Sequence, residues 1–240
     1  MIDWLRREML APEVELGGRT LPIALKRNPR ARRLTLRIAP DGSEVRVTLP
    51  RWCRSAEALA FVHARSGWLA GQLAKVPERR PPAPGGSLLL RGRTLAIDWR
   101  ADAARKPRIE RERLVVGGPA ETLARRLQRW LEGEALHLLE ADLADYCARA
   151  GIVPPMLRLT RAQRRWGSCS TGGTVRINWR LVQAPDAVRR SVVAHEVAHC
   201  VHFDHSSAFH ALLGELFEGD LAEADAWLKR EGRALYAAFG

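Results

Sequence analysis

The chain has 240 residues, a formal net charge of +12 at pH 7 and a sequence pI of about 10.8, enough length to bury a substantial core in one large domain or two small ones. No apolar run is long enough to cross a bilayer, and four scattered cysteines (Cys53, Cys147, Cys169, Cys200) without a CxxC pair argue against a disulfide framework. The positive charge is nearly all arginine, lysine standing only at Lys26, Lys75, Lys106 and Lys229. It reads either as a nucleic-acid footprint, through Arg27, Arg30, Arg32 and Arg33 or through Arg161, Arg164 and Arg165, or as arginine spread over solvated faces.

The opening MIDWLRRE does not read as a signal peptide, which with the unpaired cysteines places the expected location in the cytoplasm. Segments 20–26, 32–38 and 44–49 read as strands, the last two joined by the turn Pro40-Asp41-Gly42. One amphipathic helix is expected over 55–75, with Trp68 and Leu69 near its end. Pro77 to Gly86 is rich in proline and glycine and is the best candidate for an internal linker. Residues 88–90 and 94–99 around Arg91-Gly92-Arg93 suggest a hairpin, and Leu114-Val115-Val116 one more strand. A long helix over 119–149 carries Leu123, Leu127, Leu131, Leu138 and Tyr146 and stops at Gly151. An edge strand follows from Met156 to Leu159. Val175 to Val182 then alternates, with Val175, Ile177, Trp179 and Leu181 on one face and Arg176, Asn178 and Arg180 on the other. With the Thr171-Gly-Gly-Thr174 turn before it, this reads as the second arm of a hairpin. Helices are expected over 206–217 and 221–237, and no internal repeat is evident. The expected class is α+β, divided into a strand-rich region with one helix (1–118) and a helical region with a small sheet (119–240), or one continuous domain.

The most informative stretch is His195-Glu196-Val197-Ala198-His199, an HExxH motif. Two histidines four residues apart on a helix share a face and can grip one metal ion, while the glutamate can take a proton from a water activated there. The flank supports a helix: Asp186 lies in the first turn after Pro185, and Val188, Val192 and Val193 recur at helical spacing. A catalytic zinc needs three protein ligands and one open position. Five of the seven histidines fall between 195 and 210, and the third ligand is placed at His205, with His210 in reserve. Asp204 or Ser206 is expected to cap the next helix. Cys169, beside the expected cleft, is read as a small buried residue in preference to a redox-sensitive thiol.

RRWGSCS at 164–170, the INW strand, Ala184-Pro185, VVAHEVAH and DHSSAF together resemble the YgjP-like metallopeptidase family, relatives of the SprT-like and WLM zinc proteases in the gluzincin-type group. The resemblance extends upstream through Lys26–Ile38 and Val45–Pro50. It implies a zincin-like catalytic half, one zinc ion held by His195, His199 and His205, and Glu196 as general base. The family pattern Asn-His-Ser-x-x-Phe-Trp is Asp204-His205-Ser206-Ser207-Ala208-Phe209-His210 here. Aspartate in place of asparagine can still orient the ligand, whereas His210 in place of tryptophan either lines the pocket or packs. The substrate implied is a peptide or unfolded protein, added as a strand to a sheet edge, expected along Arg158–Arg165. Asn178, His210, Arg164 and Arg165 are candidates to steady the oxyanion or the substrate. Two rival readings fit the same sequence: zinc-dependent hydrolysis of a nucleotide phosphoanhydride, and a nucleic-acid-binding module with a structural zinc. The lack of a glycine-rich phosphate loop counts against the first, and a ligand set of only three against the second.

Overall fold

The computed structural model describes residues 12–239, so the opening segment read as lacking a signal peptide lies outside it. Two compact units are present, one ending at Glu78 and the other running Arg79–Phe239. The division therefore falls at the start of the proline- and glycine-rich stretch, and not at the expected 118/119. The reason is where the later strands bury their side chains. Leu88, Leu90, Leu95, Ile97, Leu114 and Val116 share one core cluster with Leu123, Leu127 and Leu131 of the helix that follows.

In the first unit, β1 (Glu13–Leu16), β2 (Arg19–Arg27), β3 (Thr35–Ile38) and β4 (Val45–Leu49) form a sheet in the order β1-β2-β4-β3, parallel only between β2 and β4. β1 escaped the sequence pattern because it offers only two core residues, Val14 and Leu16. The single helix expected over 55–75 is two, α1 (Ser55–Ala64) and α2 (Ser66–Leu73), interrupted at Arg65 with ψ near 14°. Ala58, Val62, Leu69 and Leu73 close the core over Ile23, Val45, Val47 and Leu49.

The second unit begins by repeating this plan. β5 (Ser87–Leu90), β6 (Arg93–Trp99), β7 (Arg108–Glu110) and β8 (Arg113–Val116) run in the order β5-β6-β8-β7, again parallel only between the second and fourth strands. The two leading hairpins also agree in sequence, LGGRTLPI from Leu16 against LRGRTLAI from Leu90. An internal repeat is present after all; short strands and unequal connections hid it. Both turns put two residues at positive φ, Gly17 and Gly18 in the first, Arg91 and Gly92 in the second, the geometry of a tight two-residue hairpin. The second turn has a further task. The Arg91 and Gly92 N–H groups donate to the carbonyls of Val182 and Gln183 (2.8 and 2.9 Å), and the Arg91 guanidinium pairs with Asp186.

α3 (Leu123–Arg149) follows a 3-10 turn at Ala120–Thr122 and buries Leu123, Leu127, Leu131, Ala135, Leu139 and Leu143 along one stripe. Beside it lies a three-stranded sheet ordered β10-β11-β9, from β9 (Met156–Thr160), β10 (Gly167–Ser170) and β11 (Thr174–Asn178). β10 and β11 form the expected antiparallel hairpin, and β9 joins β11 in parallel. The alternation read through Val182 stops early: the Asn178 side chain accepts the Arg180 N–H and starts a wholly buried 3-10 turn, Trp179–Gln183. A local side-chain bond to backbone outcompetes the sheet ladder here. Arg180, expected on the outer face, is buried with its guanidinium 4.8 Å from the Trp179 ring and 4.6 Å from that of Tyr236.

Three helices complete the unit: α4 (Asp186–Val201), α5 (Ser207–Leu216) and α6 (Leu221–Glu231), the last passing into a 3-10 turn at Gly232–Tyr236 where more helix was expected. Of the two proposed caps for α5, Ser206 serves, its hydroxyl accepting the Phe209 N–H. Among the described residues no helix is long and apolar enough to cross a membrane.

Candidate metal centre

α4 is amphipathic in the sense its valines suggest: Val188, Val192, Val193 and Val197 are buried, turning the His195–His199 face the other way. Ionic contacts with α3 hold it in place. Arg189 donates from Nε to Asp142 Oδ2 at 2.7 Å with both side chains buried, and also pairs with Asp186. Arg190 reaches Asp142 (3.1 Å) and Asp145 (2.7 Å), and pairs with Glu218 as well.

The helix ends at Val201, the chain reverses through Phe203-Asp204, and His205 arrives opposite the two helical histidines. One ring nitrogen from each of His195, His199 and His205 lies within 4.8 Å of the others. A tetrahedral zinc with Zn–N bonds of about 2.05 Å spaces its ligand atoms roughly 3.3 Å apart, so small side-chain rotations close the set. The donors suit such an ion. Burial first, then the neighbouring imidazoles, hold His195 down to about 4, which keeps its ring neutral and its lone pair free. His199 Nδ1 is 3.1 Å from the His202 carbonyl, a bond that fixes its tautomer and leaves Nε2 for a metal. The Phe209 ring stacks on His199 at 4.4 Å, lies 5.1 and 4.9 Å from His195 and His205, and is fully buried. It is a rigid floor for three rings that must share one point. His210, the reserve ligand, is outside the set, its ring centre 6.3 Å from that of His205.

Glu196 follows His195 in the same turn and is 5 % exposed. Burial pushes its carboxyl up to about 7, opposed by a hydrogen bond from the Cys169 N–H and by the charge of Arg165. β10 lies against it so closely that a Cβ on Gly167 would stand 2.7 Å from Glu196 Cδ and Cγ, and nearer still to Oε1. Gly167 is thus part of the site, a role that only its absence of side chain could have signalled. The same strand and helix bring two thiols together, Cys169 Sγ and Cys200 Sγ being 3.5 Å apart.

Other expected site residues sit elsewhere or act differently. Asn178 is wholly buried and its amide is spent on Ala162 O (2.8 Å) and Tyr236 Oη (3.3 Å), so it offers nothing to a substrate. Asp204 accepts the Ser206 N–H (3.3 Å), closing its own loop, where an orienting bond to His205 was expected. The orienting acceptor in this centre is the His202 carbonyl on His199, which carries no sequence signal. Arg161 is tied to Glu132 at 2.7 Å, while Arg164 and Arg165 are exposed on the segment leading into β10.

A model of the YgjP-like metallopeptidase domain matches residues 32–231. The chain belongs to the YgjP-like metallopeptidase family. The match takes in β3, β4 and both helices of the first unit, the whole of the second four-stranded sheet and the histidine cluster, while β1 and β2 precede it. No curated protein matches the chain. Among solved structures, the metallopeptidase zymogen of Pyrococcus abyssi abylysin is similar over 41 % of this chain and 96 % of its own, at 20 % identity and a TM-score of 0.34, too slight a likeness to argue from.

Proposed function

We propose that the chain is a zinc-dependent peptidase in which His195, His199 and His205 hold one ion and Glu196 is the general base. The observation that carries this reading is the convergence of three imidazoles, two from one helix and one from the following loop, beside a buried carboxyl group. An ion bound there supplies a polarised carbonyl and a water of lowered pKa. Glu196 receives the proton of the attacking water and returns it to the leaving amine, work that suits a carboxyl whose proton affinity is raised by burial. The Cys169 N–H steadies the ionised form of Glu196, and Gly167 sets how near the strand can come.

The peptide edge is better placed at β10 than along Arg158–Arg165. Both β9 and β10 are outer strands of their sheet, but it is β10 whose backbone contacts Glu196. An extended substrate adding to β10 would bring its scissile carbonyl beside the base. Arg164 and Arg165, at the mouth of that strand, would meet the substrate's flanking residues, or a nucleic acid that accompanies it.

Cleavage of a denatured protein by zinc-loaded enzyme, with and without single-stranded DNA, tests the reading. Glu196→Gln should retain stoichiometric zinc and lose turnover, and His199→Ala should lose zinc. Full hydrolysis by Glu196→Gln would refute the mechanism. Release of phosphate or pyrophosphate from a nucleoside triphosphate, with no protein cleaved, would replace peptide by phosphoanhydride as the substrate.

A further inference from the structure

We propose that Cys169 and Cys200 are a reversible oxidation site, forming a disulfide that locks β10 onto α4 and disables Glu196. The two sulfurs already touch, at 3.5 Å, one carried by the strand and the other by the helix. Both residues are half-buried, whereas the other two cysteines, Cys53 and Cys147, are buried, so an oxidant in solvent meets this pair first. Closing to a bond of about 2.05 Å shortens the gap by roughly 1.5 Å.

The chemistry needs only a peroxide. One thiol attacks the O–O bond, becoming a sulfenic acid as water leaves. The second thiol then attacks that sulfur, and the sulfenic hydroxyl departs as water with the second thiol's proton. In sum, two thiols and one hydrogen peroxide give one disulfide and two waters, and a dithiol reductant reverses it.

The consequence for the site follows from where the two residues stand. Cys169 gives its N–H to the Glu196 carboxylate, and Cys200 Sγ donates to the Glu196 carbonyl at 3.3 Å. On the same strand as Cys169, Gly167 leaves no room for a Cβ against Glu196. Whatever part of the closure is taken up by drawing strand and helix together falls on this narrow approach and displaces the carboxyl group from its working position.

The mass readout is independent of the proposed peptidase activity; the inhibition rests on it. The full chain is treated with hydrogen peroxide, then alkylated, weighed intact and mapped as peptides. The expected product has lost about 2 Da, keeps two alkylatable thiols, and yields a peptide joining Cys169 to Cys200, all reversed by dithiothreitol. Oxidation should lower hydrolysis at least tenfold in the parent chain, while the ratio of oxidised to reduced activity stays near one in Cys200→Ala. A Cys147–Cys200 bridge, a sulfinic acid on one cysteine, or four thiols surviving would overturn the proposal whether or not the enzyme cleaves peptides. A disulfide that forms and leaves a measurable activity unchanged would overturn the switch.

Discussion

Replacing Gly167 by alanine probes the site at its tightest point. The added methyl would stand 2.7 Å from Glu196 Cδ and Cγ, where ordinary contact begins at 3.4 Å. About 0.7 Å must be found there, and more at Oε1. Gly167 is not in the left-handed region of backbone space, so alanine suits its conformation and the whole cost is steric. Overpacking of this kind costs about 1–3 kcal/mol of stability, or roughly 2–12 °C in Tm for a chain of this size. Its functional cost is larger. A displacement near 1 Å in a reacting group costs on the order of 100-fold in rate, and complete removal of a general base up to about 10,000-fold. The assay is kcat/KM on a denatured protein substrate, with bound zinc measured by atomic emission and Tm by calorimetry. The expected variant is folded and zinc-replete, slightly less stable and at least about 100-fold slower. Undiminished kcat/KM together with an unchanged Tm would refute the contact.

Three further outcomes follow from the same geometry. His205→Ala should lose zinc at a concentration where His210→Ala keeps one equivalent, because only the first ring reaches the other two; equal retention would put the third ligand elsewhere. Asp142→Ala should destabilise the second unit by about 3 kcal/mol, since it leaves the Arg189 guanidinium buried with one of its two carboxylates gone. A denaturant midpoint equal to the parent's would show the pair to be dispensable. Glu218 gives a pH signature. Against a burial that works to raise it, hydrogen bonds from Arg190, from backbone and from Tyr146 hold it down to about 2. A depressed carboxylate stabilises the fold fully above its ordinary value of 4.5, and that stabilisation fades as pH falls toward 2. The group is half exposed, so the effect is at most about 1 kcal/mol. The Tm difference between the parent and Glu218→Gln should therefore be constant from pH 7 to pH 5.5 and shrink by pH 3; a difference that grows on acidification would reverse the argument.

Much of this protein was legible in one dimension because the relevant physics is local. An HExxH on a helix needs only 3.6-residue winding to put His195 and His199 on one face. The valines of α4, the leucines of α3 and the turn before Thr174 each declare themselves through periodicity or turn chemistry. Even His205 could be picked out, since the chain must reverse soon after Val201 to bring a third ring back. Where periodicity and local bonding disagreed, the reading failed: Asn178 ended its strand with a backbone hydrogen bond, and Arg180 went inside between two aromatic rings.

What tertiary structure alone decided are relations between segments far apart in sequence. Strands 87–116 belong with α3 because their leucines and valines need its stripe to escape water, a choice that composition cannot express. The repeated four-strand plan is visible only when strand order is known, since six matching residues in a hairpin are easily lost among 240. The assignment of Asn178 to a cap, of the His202 carbonyl to His199 and of Gly167 to Glu196 depends on contacts a few ångströms wide. So does the meeting of Cys169 with Cys200, which are 31 positions apart in the chain. Sequence determines which side chains are able to do the chemistry, because that is a property of the residue. Packing decides which of them do it, because a metal, a proton and a thiol each respond only to what lies within bonding reach.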